Sequence, residues 1–187
     1  MTLRNLIFAV AFAMTATFAT GTPSISQNAD KLSSANGKPY LTDIFGAWEI
    51  RCMRLTAGGE RCQMFQELDE SPGNPVAEIN IFALPVGQEA VLGAVIITPL
   101  GTLLTARLTL KISNLERKDY PFSWCNGVGC VARVGITADE LDALKLGTMA
   151  TITIVPVATP TSPMELSVSL QGFTSAFNAM QASNNPG

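Results

Sequence analysis

Apolar and polar residues alternate along most of this chain with the period of two that is typical of β-strands. The clearest alternation lies at 106–112, where Arg107, Thr109 and Lys111 fall on the polar side. We interpret Arg107 and Lys111 as part of a solvated strand face that discourages edge pairing, with a ligand or partner surface as the alternative. Similar runs, separated by Gly, Pro and Asn turns, predict further strands at 48–53, 61–66, 76–84, 90–97, 149–155 and 164–170 and a hairpin within 121–134.

The period changes to that of a helix between Thr137 and Gly147. Thr137 stands at the N-cap position with Glu140 three residues later, and Gly147 follows the last leucine, which predicts a short helix with a capping box. Three acidic residues in this segment, Asp139, Glu140 and Asp142, suit the positive end of the helix dipole. We therefore prefer a structural role for this acidic cluster to a metal site.

A second helical pattern closes the chain, because Phe173, Ala176, Phe177 and Met180 recur at helical spacing. This C-terminal helix is expected to dock on a sheet. About nine short strands, frequent turns and two short helices together predict a mainly β fold, an antiparallel β-sandwich or barrel-like domain.

Four cysteines form two closely spaced pairs. Cys125 and Cys130 flank Asn126-Gly127 and Gly129, and Asn-Gly is the dipeptide that most readily takes the positive φ of a tight hairpin turn. Antiparallel neighbours lie close enough for a disulfide, so this hairpin is predicted to be closed by Cys125–Cys130. A redox-active pair and a zinc site are the alternatives, but neither motif has this spacing.

Cys52 and Cys62 lie on two predicted strands joined by a turn that contains Gly58-Gly59. If the hairpin is centred on Ala57, Cys52 lies directly opposite Cys62 and both sulfurs are on one face of the sheet. Sequential pairing, in which each cysteine bonds the next one along the chain, is therefore preferred among the three connectivities. Each disulfide is expected to stabilise the fold by about 2–3 kcal/mol through its effect on the unfolded chain.

The first residues have the pattern of a secretory signal peptide, because Arg4 precedes the apolar run 6–14 and small residues lead to Ala19. An uncleaved membrane anchor is the alternative, although the apolar run is short for a membrane span. The following residues are rich in Thr, Ser, Asn, Gly and Pro, as in a flexible leader. The predicted division is a signal peptide (1–19), a flexible leader (20–40), a single β-rich domain (41–181) and a disordered tail (182–187).

All four cysteines follow the predicted signal peptide, and proteins in oxidising compartments keep their disulfides. The sequence therefore predicts a periplasmic protein, with the outer surface or secretion as alternatives, and no stable membrane span after cleavage. The chain has 12 Lys and Arg against 15 Asp and Glu, a net charge of −3. A basic face suited to nucleic acid is not expected.

Catalytic chemistry has little support in the sequence. The absence of histidine removes Ser-His-Asp and Cys-His arrangements and the commonest ligand of catalytic zinc. Neither a phosphate-binding glycine loop with a lysine nor a dinucleotide motif is found. The neighbouring carboxylates Asp69 and Glu70 could act as general acid and base, but their Pro- and Gly-containing loop favours a solvated turn. We expect no catalytic, cofactor-binding or metal-binding residue and no cofactor.

Between about Phe45 and Met180 the chain carries several short motifs in a fixed order. They are Phe45-Gly46-Ala47-Trp48, Cys62-Gln63-Met64, Thr98-Pro99-Leu100-Gly101-Thr102, Leu108-Thr109-Leu110-Lys111-Ile112, Cys125-Asn126-Gly127-Val128-Gly129-Cys130 and Ser169-Leu170-Gln171-Gly172-Phe173. In this order the motifs resemble the invasion-associated locus B family of exported bacterial proteins. The resemblance covers nearly the whole predicted mature chain.

The resemblance implies a small periplasmic or outer-surface protein of a Gram-negative bacterium, associated in some members with entry into host cells. It brings no active site, so no catalytic residue is transferred. We therefore expect an exported, non-enzymatic cell-envelope protein that binds a host or envelope macromolecule, an unknown protein or surface component. The alternative is a periplasmic small-ligand or polysaccharide-binding module, for which Tyr40, Trp48, Tyr120 and Trp124 are the aromatic candidates, most of them expected in the core.

Overall fold

The computed structural model describes residues 37–56 and 58–184. These residues form eleven strands, two α-helices and a short 3-10 helix at Leu104–Ala106. The strands are β1 (Tyr40–Phe45), β2 (Trp48–Arg54), β3 (Glu60–Ser71), β4 (Asn74–Ala83), β5 (Leu92–Thr98), β6 (Leu108–Ile112), β7 (Lys118–Tyr120), β8 (Phe122–Cys125), β9 (Cys130–Ile136), β10 (Met149–Ile154) and β11 (Met164–Ser169). The helices are α1 (Ala138–Leu146) and α2 (Phe173–Asn184).

The strands build two antiparallel sheets. One sheet has seven strands in the order β1-β2-β3-β4-β5-β9-β8, and the other has four in the order β11-β10-β6-β7. Each sheet ends in an edge strand on both sides, so the described part of the chain is a sandwich and not the barrel-like alternative. The prediction of a mainly β, antiparallel fold is confirmed.

The core lies between the two sheets and is filled by the side chains that alternate along each strand and point inward. Ile79 and Ile81 of β4 face Leu110 of β6 and Ile152 of β10, and all four are buried in one apolar cluster. The alternation recognised in the sequence marks the buried face of β2, β4, β6, β10 and β11 correctly, whereas β3 also buries Phe65 on its other face.

Two strands were not predicted. The segment 40–54 is split into β1 and β2 because Gly46 turns the chain with φ +60°, and β7 is a paired strand where the sequence indicates a charged connection. Pro121 separates β7 in the four-stranded sheet from β8 in the seven-stranded sheet. A proline cannot donate to a strand ladder, which suits this change of sheet.

The two basic residues assigned to one strand face are separated by the fold. Arg107 has φ +63° and ends the 3-10 helix just before β6, whereas Lys111 lies on β6 opposite Thr151. β6 lies between β10 and β7. Both side chains are exposed, as a solvated face requires, but β6 is not an edge strand, so the explanation that they protect a sheet edge was wrong.

Both predicted helices are present. α1 begins with the predicted capping box between Thr137 and Glu140, and α2 buries Phe173 and Met180 against the sandwich. α2 continues to Asn184, so the disordered tail predicted from residue 182 was wrong for its first three residues. Neither helix in the described part is long and apolar enough to cross a membrane. The predicted signal peptide and most of the leader lie outside the described residues, and the rest of the domain division stays a prediction.

Candidate functional site

Both predicted disulfides are present. Cys52 on β2 lies opposite Cys62 on β3, and Cys125 on β8 lies opposite Cys130 on β9, with 4.0 Å between the Cα atoms of each pair. Glu60 approaches Cys52 and Cys62 closely enough for the three side chains to share a metal ion. Because the two sulfurs are bonded to each other, they offer no thiolate to such an ion.

The turn between β8 and β9 is built differently from its prediction. Neither Asn126 nor Gly127 has positive φ. Instead, the side-chain oxygen of Asn126 accepts hydrogen bonds from the backbone N–H groups of Val128 (2.9 Å) and Gly129 (3.3 Å). Gly129 is required because a Cβ at this position would collide with the carbonyl oxygen of Thr98. The loop therefore depends on an Asn side chain and a close approach to β5.

The backbone of Cys62 is held by the last residue of α2. Asn184 accepts a hydrogen bond from the Cys62 N–H (2.8 Å) and donates one to the Cys62 carbonyl (3.0 Å). Pairing between β3 and β4 begins only at Met64 and Ile81, so Asn184 takes the place of a strand neighbour. The sequence does not single out Asn184, although its four-residue spacing from Met180 continues one helix face.

The acidic cluster of α1 does not converge on a site. Glu140 is buried and pairs with Lys118 of β7 at 2.7 Å, while Asp139 and Asp142 are exposed. Burial raises the pKa of Glu140. Hydrogen bonds from Lys118 and Thr137 together lower it by more than burial raises it, so the pKa lies below its ordinary value. The same pairing raises the pKa of Lys118. This carboxylate serves a cap and an ion pair.

The predicted loop carboxylates serve a turn as well. The Asp69 carboxylate accepts a hydrogen bond from the backbone N–H of Gly73 at 2.9 Å, and Glu70 accepts one from the Asn74 side chain at 3.3 Å. Both residues are exposed. Their geometry agrees with the solvated-turn interpretation.

The two tryptophans have opposite environments. Trp48 is fully buried, donates a hydrogen bond to the Ser169 carbonyl (2.9 Å) and meets Phe173 edge to face at 5.4 Å. Trp124 is 44% exposed, and the Arg133 guanidinium lies 4.7 Å from its ring centroid. Trp48 is a core residue, so Trp124 is the tryptophan that a ligand could reach.

Two open grooves among the described residues exceed 600 Å³, within the range of ligand-binding sites. The first, here called the disulfide groove, has a volume of about 610 Å³ and lies beside Cys62, the end of α2 and the loop between β4 and β5. Its apolar wall is formed by Leu55, Phe82, Leu84, Pro85, Val86 and Val91.

The second, here called the edge groove, has a volume of about 630 Å³ and lies between β3 and β11. Its lining is polar and acidic and includes Glu49, Phe65, Gln66, Glu67, Asp69, Glu70, Ser167 and Ser169. Neither groove was predicted, because each is formed by segments far apart in the sequence.

A family model described as Invasion associated locus B (IalB) protein matches residues 48–181. The chain belongs to this family. The match runs from β2 into α2 and therefore includes ten of the eleven described strands and both disulfides. The resemblance inferred from the motifs is confirmed.

Two relatives, both called Invasion protein B homolog, come from Brucella abortus strain 2308 and Brucella abortus biovar 1 strain 9-941. Each is 28% identical to this chain over 158 residues, which cover 84% of this chain and 88% of the relative. The crystal structure of invasion associated protein B from Bartonella henselae superposes with a TM-score of 0.66 and 22% identity, covering 76% of this chain and 96% of that one. This likeness shows that the two chains share a fold.

The first and last motifs that connect the chain with the IalB family meet in space. The Ala47 N–H donates to the Gln171 carbonyl at 3.1 Å. Gly46 and Gly172 both have positive φ, and a Cβ on Gly172 would collide with the carbonyl oxygen of Phe45. The two glycines therefore permit a backbone contact between the β1–β2 turn and the segment before α2.

Proposed function

We propose that this IalB-family protein is exported to the cell envelope and acts without catalysis, by binding a macromolecule of the host or of the envelope. The observation that carries the proposal is the pair of cross-strand disulfides, because disulfides form and persist in oxidising compartments. The predicted signal peptide at 1–19 supports the same compartment. The periplasm is the proposed location, with the outer surface or secretion as alternatives.

Two features support binding rather than catalysis. The sequence contains no histidine, and the buried carboxylate of Glu140 is already engaged by Thr137 and Lys118. By contrast, the two grooves offer open surfaces of the size that ligands occupy. The relatives' printed names connect those proteins with invasion, so a host surface component is one of the two partner classes proposed.

The test is partner capture from intact bacteria and from host-cell surfaces by the mature, disulfide-bonded protein. A tag is placed in the predicted leader. We expect one envelope or host component to be enriched and to bind again after purification, while an unrelated disulfide-bonded protein of similar charge does not bind it. A mature protein that stays monomeric and captures neither envelope nor host material would contradict the proposal.

The compartment has its own measurement. Fractionation and free-thiol counting by mass spectrometry should find the protein outside the cytoplasm with no free thiol. Protein recovered from the cytoplasm with titratable thiols would rule out export.

The disulfide groove favours a second candidate function, small-ligand or polysaccharide binding, because its apolar wall and volume suit a compact ligand. A thermal-shift screen with glycans and lipids tests it, since a ligand of the folded state raises the melting temperature. Val86 is fully exposed, so Val86→Asp should leave the fold intact and abolish such a shift, whereas Val157→Asp, also exposed, should not. A screen in which nothing shifts the melting temperature counts against this candidate.

A further inference from the structure

β11 is an edge strand, and one of its residues is clamped by the other sheet. The Ser169 N–H donates to Gln66 at 2.8 Å, and the Ser169 carbonyl accepts hydrogen bonds from Gln66 and Trp48, both at 2.9 Å. Hydrogen-bonding direction alternates along a strand, so Glu165 and Ser167 turn their main-chain N–H and C=O groups toward the same outer edge. Within residues 37–56 and 58–184, no strand pairs with that edge.

The opposite wall of the edge groove is also a strand edge. The 4.0 Å spacing of Cys52 and Cys62 identifies a non-hydrogen-bonded pair, so the pair Glu49–Phe65, three residues on, is hydrogen-bonded. The pairing of β2 with β3 ends there, while β3 continues to residue 71. Glu67, two residues beyond Phe65, therefore points its main-chain groups past the end of β2 into the groove.

The charge of the edge groove is mainly negative, and the cation at its border is Arg51, whose guanidinium lies 3.2 Å from the centroid of the Phe65 ring. Four carboxylates line it and no lysine or arginine does. Glu49 pairs with Arg51 at 2.8 Å, and Asp69 and Glu70 hold their own turn. Glu67 is exposed and has no hydrogen-bond or ion-pair partner among the described residues. The groove thus combines unpaired main-chain groups on two walls with a negative field.

We propose that the edge groove binds an extended segment of a partner protein, with Lys or Arg at alternate positions, which adds as a strand to β11. Strand addition supplies the missing partners of an exposed edge. Side chains alternate along such a segment, so its basic residues face the carboxylates on one side only. This inference rests on the proposed function and names the class of its partner.

The probe is a labelled, end-capped peptide of about six residues, the usual strand length, that alternates Lys and Val. Its binding to the mature, disulfide-bonded protein is measured by fluorescence anisotropy at low and high salt. Two control peptides separate the contributions: one has Glu in place of Lys, and the other carries N-methyl groups on alternate amides and so lacks donors along one edge. We expect the Lys peptide to bind, more weakly at high salt, and neither control to bind.

Two variants place the peptide on the protein. Glu67→Lys reverses the charge without disturbing a partner, and Ser167→Pro removes an N–H that β10 does not use, a change that edge strands tolerate. Each should weaken binding about tenfold, equivalent to about 1.4 kcal/mol. Glu116→Lys is the matched control, because Glu116 is exposed on the loop before β7 and its change in charge is identical. It should leave binding unchanged.

Equal binding of the N-methylated peptide, or an equal loss in Glu116→Lys, would overturn strand addition in favour of general charge attraction. If the wild type forms a dimer that Ser167→Pro dissociates, a second copy of this chain occupies the groove and the peptide proposal fails. If Glu67→Lys captures the same cellular partner as the wild type, the groove proposal fails while the proposed function stands. If the wild type captures no partner at all, it is the proposed function that fails.

Discussion

At Gln66 a single amide side chain joins the two sheets. It is buried, and it supplies both a donor and an acceptor to the backbone of Ser169, 103 positions away. A buried backbone N–H or carbonyl without a partner lowers stability. Gln66 therefore supplies hydrogen-bond partners to the backbone groups of Ser169, where the edge of β11 lies beside β3.

Replacing this amide tests its role. Gln66→Leu keeps the size of the side chain and leaves the Ser169 N–H without a partner, so the free energy of unfolding should fall by about 1–3 kcal/mol. The measurement is urea denaturation followed by far-ultraviolet circular dichroism. Gln63→Leu is the control, because Gln63 is on the same strand but only partly buried and bonded to the Asn80 side chain. Equal losses of unfolding free energy in the two variants would show that the hydrogen bonds of Gln66 to Ser169 stabilise the fold no more than a partly buried amide pair does.

Residues of this kind could not be found from the sequence. An amphipathic pattern predicts that position 66 faces the core, but the partner that makes a buried glutamine acceptable comes from β11. The same holds for Asn184, whose contact with Cys62 spans 122 positions. By contrast, the cap formed by Thr137 and Glu140 is contained in four residues, and the sequence alone predicts it.

Among the elements, α1 shows how a local signal acquires a tertiary function. The capping box fixes the first turn, and the same Glu140 then binds Lys118 on β7 at 2.7 Å. The ion pair ties the helix to a strand that the sequence did not reveal. Three residues are too short for an alternation to be recognised, so β7 was missed.

The ion pair predicts a pH dependence. The pKa of Glu140 is lowered in the folded protein, so its contribution is present above the ordinary value near 4.5 and is lost as the pH falls through the folded pKa. Glu140→Gln should therefore be less stable than the wild type by about 2 kcal/mol at pH 7, and the difference should shrink in acid. Urea titrations at a series of pH values measure it.

Asp139→Asn is the control for this series, since Asp139 is exposed on the same helix turn. It should show a smaller loss. At the alkaline end the pKa of Lys118 is raised above its ordinary value of 10.5, so its contribution to stability is complete below that value and is lost as the pH rises through the higher folded pKa. A Glu140→Gln difference that stays constant from neutral pH into acid would contradict the assigned role.

For the whole molecule, the two disulfides are expected to be unequal. Cys52–Cys62 spans 10 positions and Cys125–Cys130 spans 5, and a longer closed loop restricts the unfolded chain more. Each paired substitution to serine should lower the free energy of unfolding by about 2–3 kcal/mol, with the larger loss for Cys52 and Cys62. Urea denaturation of the two double variants measures both losses.

Peptide mass spectrometry without reductant identifies the linked pairs directly. Finding cross-linked peptides other than Cys52–Cys62 and Cys125–Cys130, or unchanged stability in both variants, would contradict this assignment. Wild-type protein treated with reductant provides the reference for complete reduction.

Local sequence pattern predicts most of the strands, the helices and the cysteine hairpins. It does not predict how the strands pair to form the two sheets. Alternation identifies the buried face of β4 or β10, and each cysteine hairpin closes within a few residues. The pairing of β5 with β9, which brings Thr98 opposite Cys130, skips three strands that belong partly to the other sheet. Periodicity says which side of a strand is buried but not which strand is its neighbour, so the grooves between distant strands could not be predicted.

The contact between the β1–β2 turn and the segment before α2 joins two parts of the chain that lie far apart in the sequence. Trp48 needs the carbonyl of Ser169, 121 positions later, and the ring of Phe173 beyond it. Contacts of such long sequence separation form late and slow folding. The first hairpin can close early, yet the indole of Trp48 stays in water until residues 169–173 join the fold.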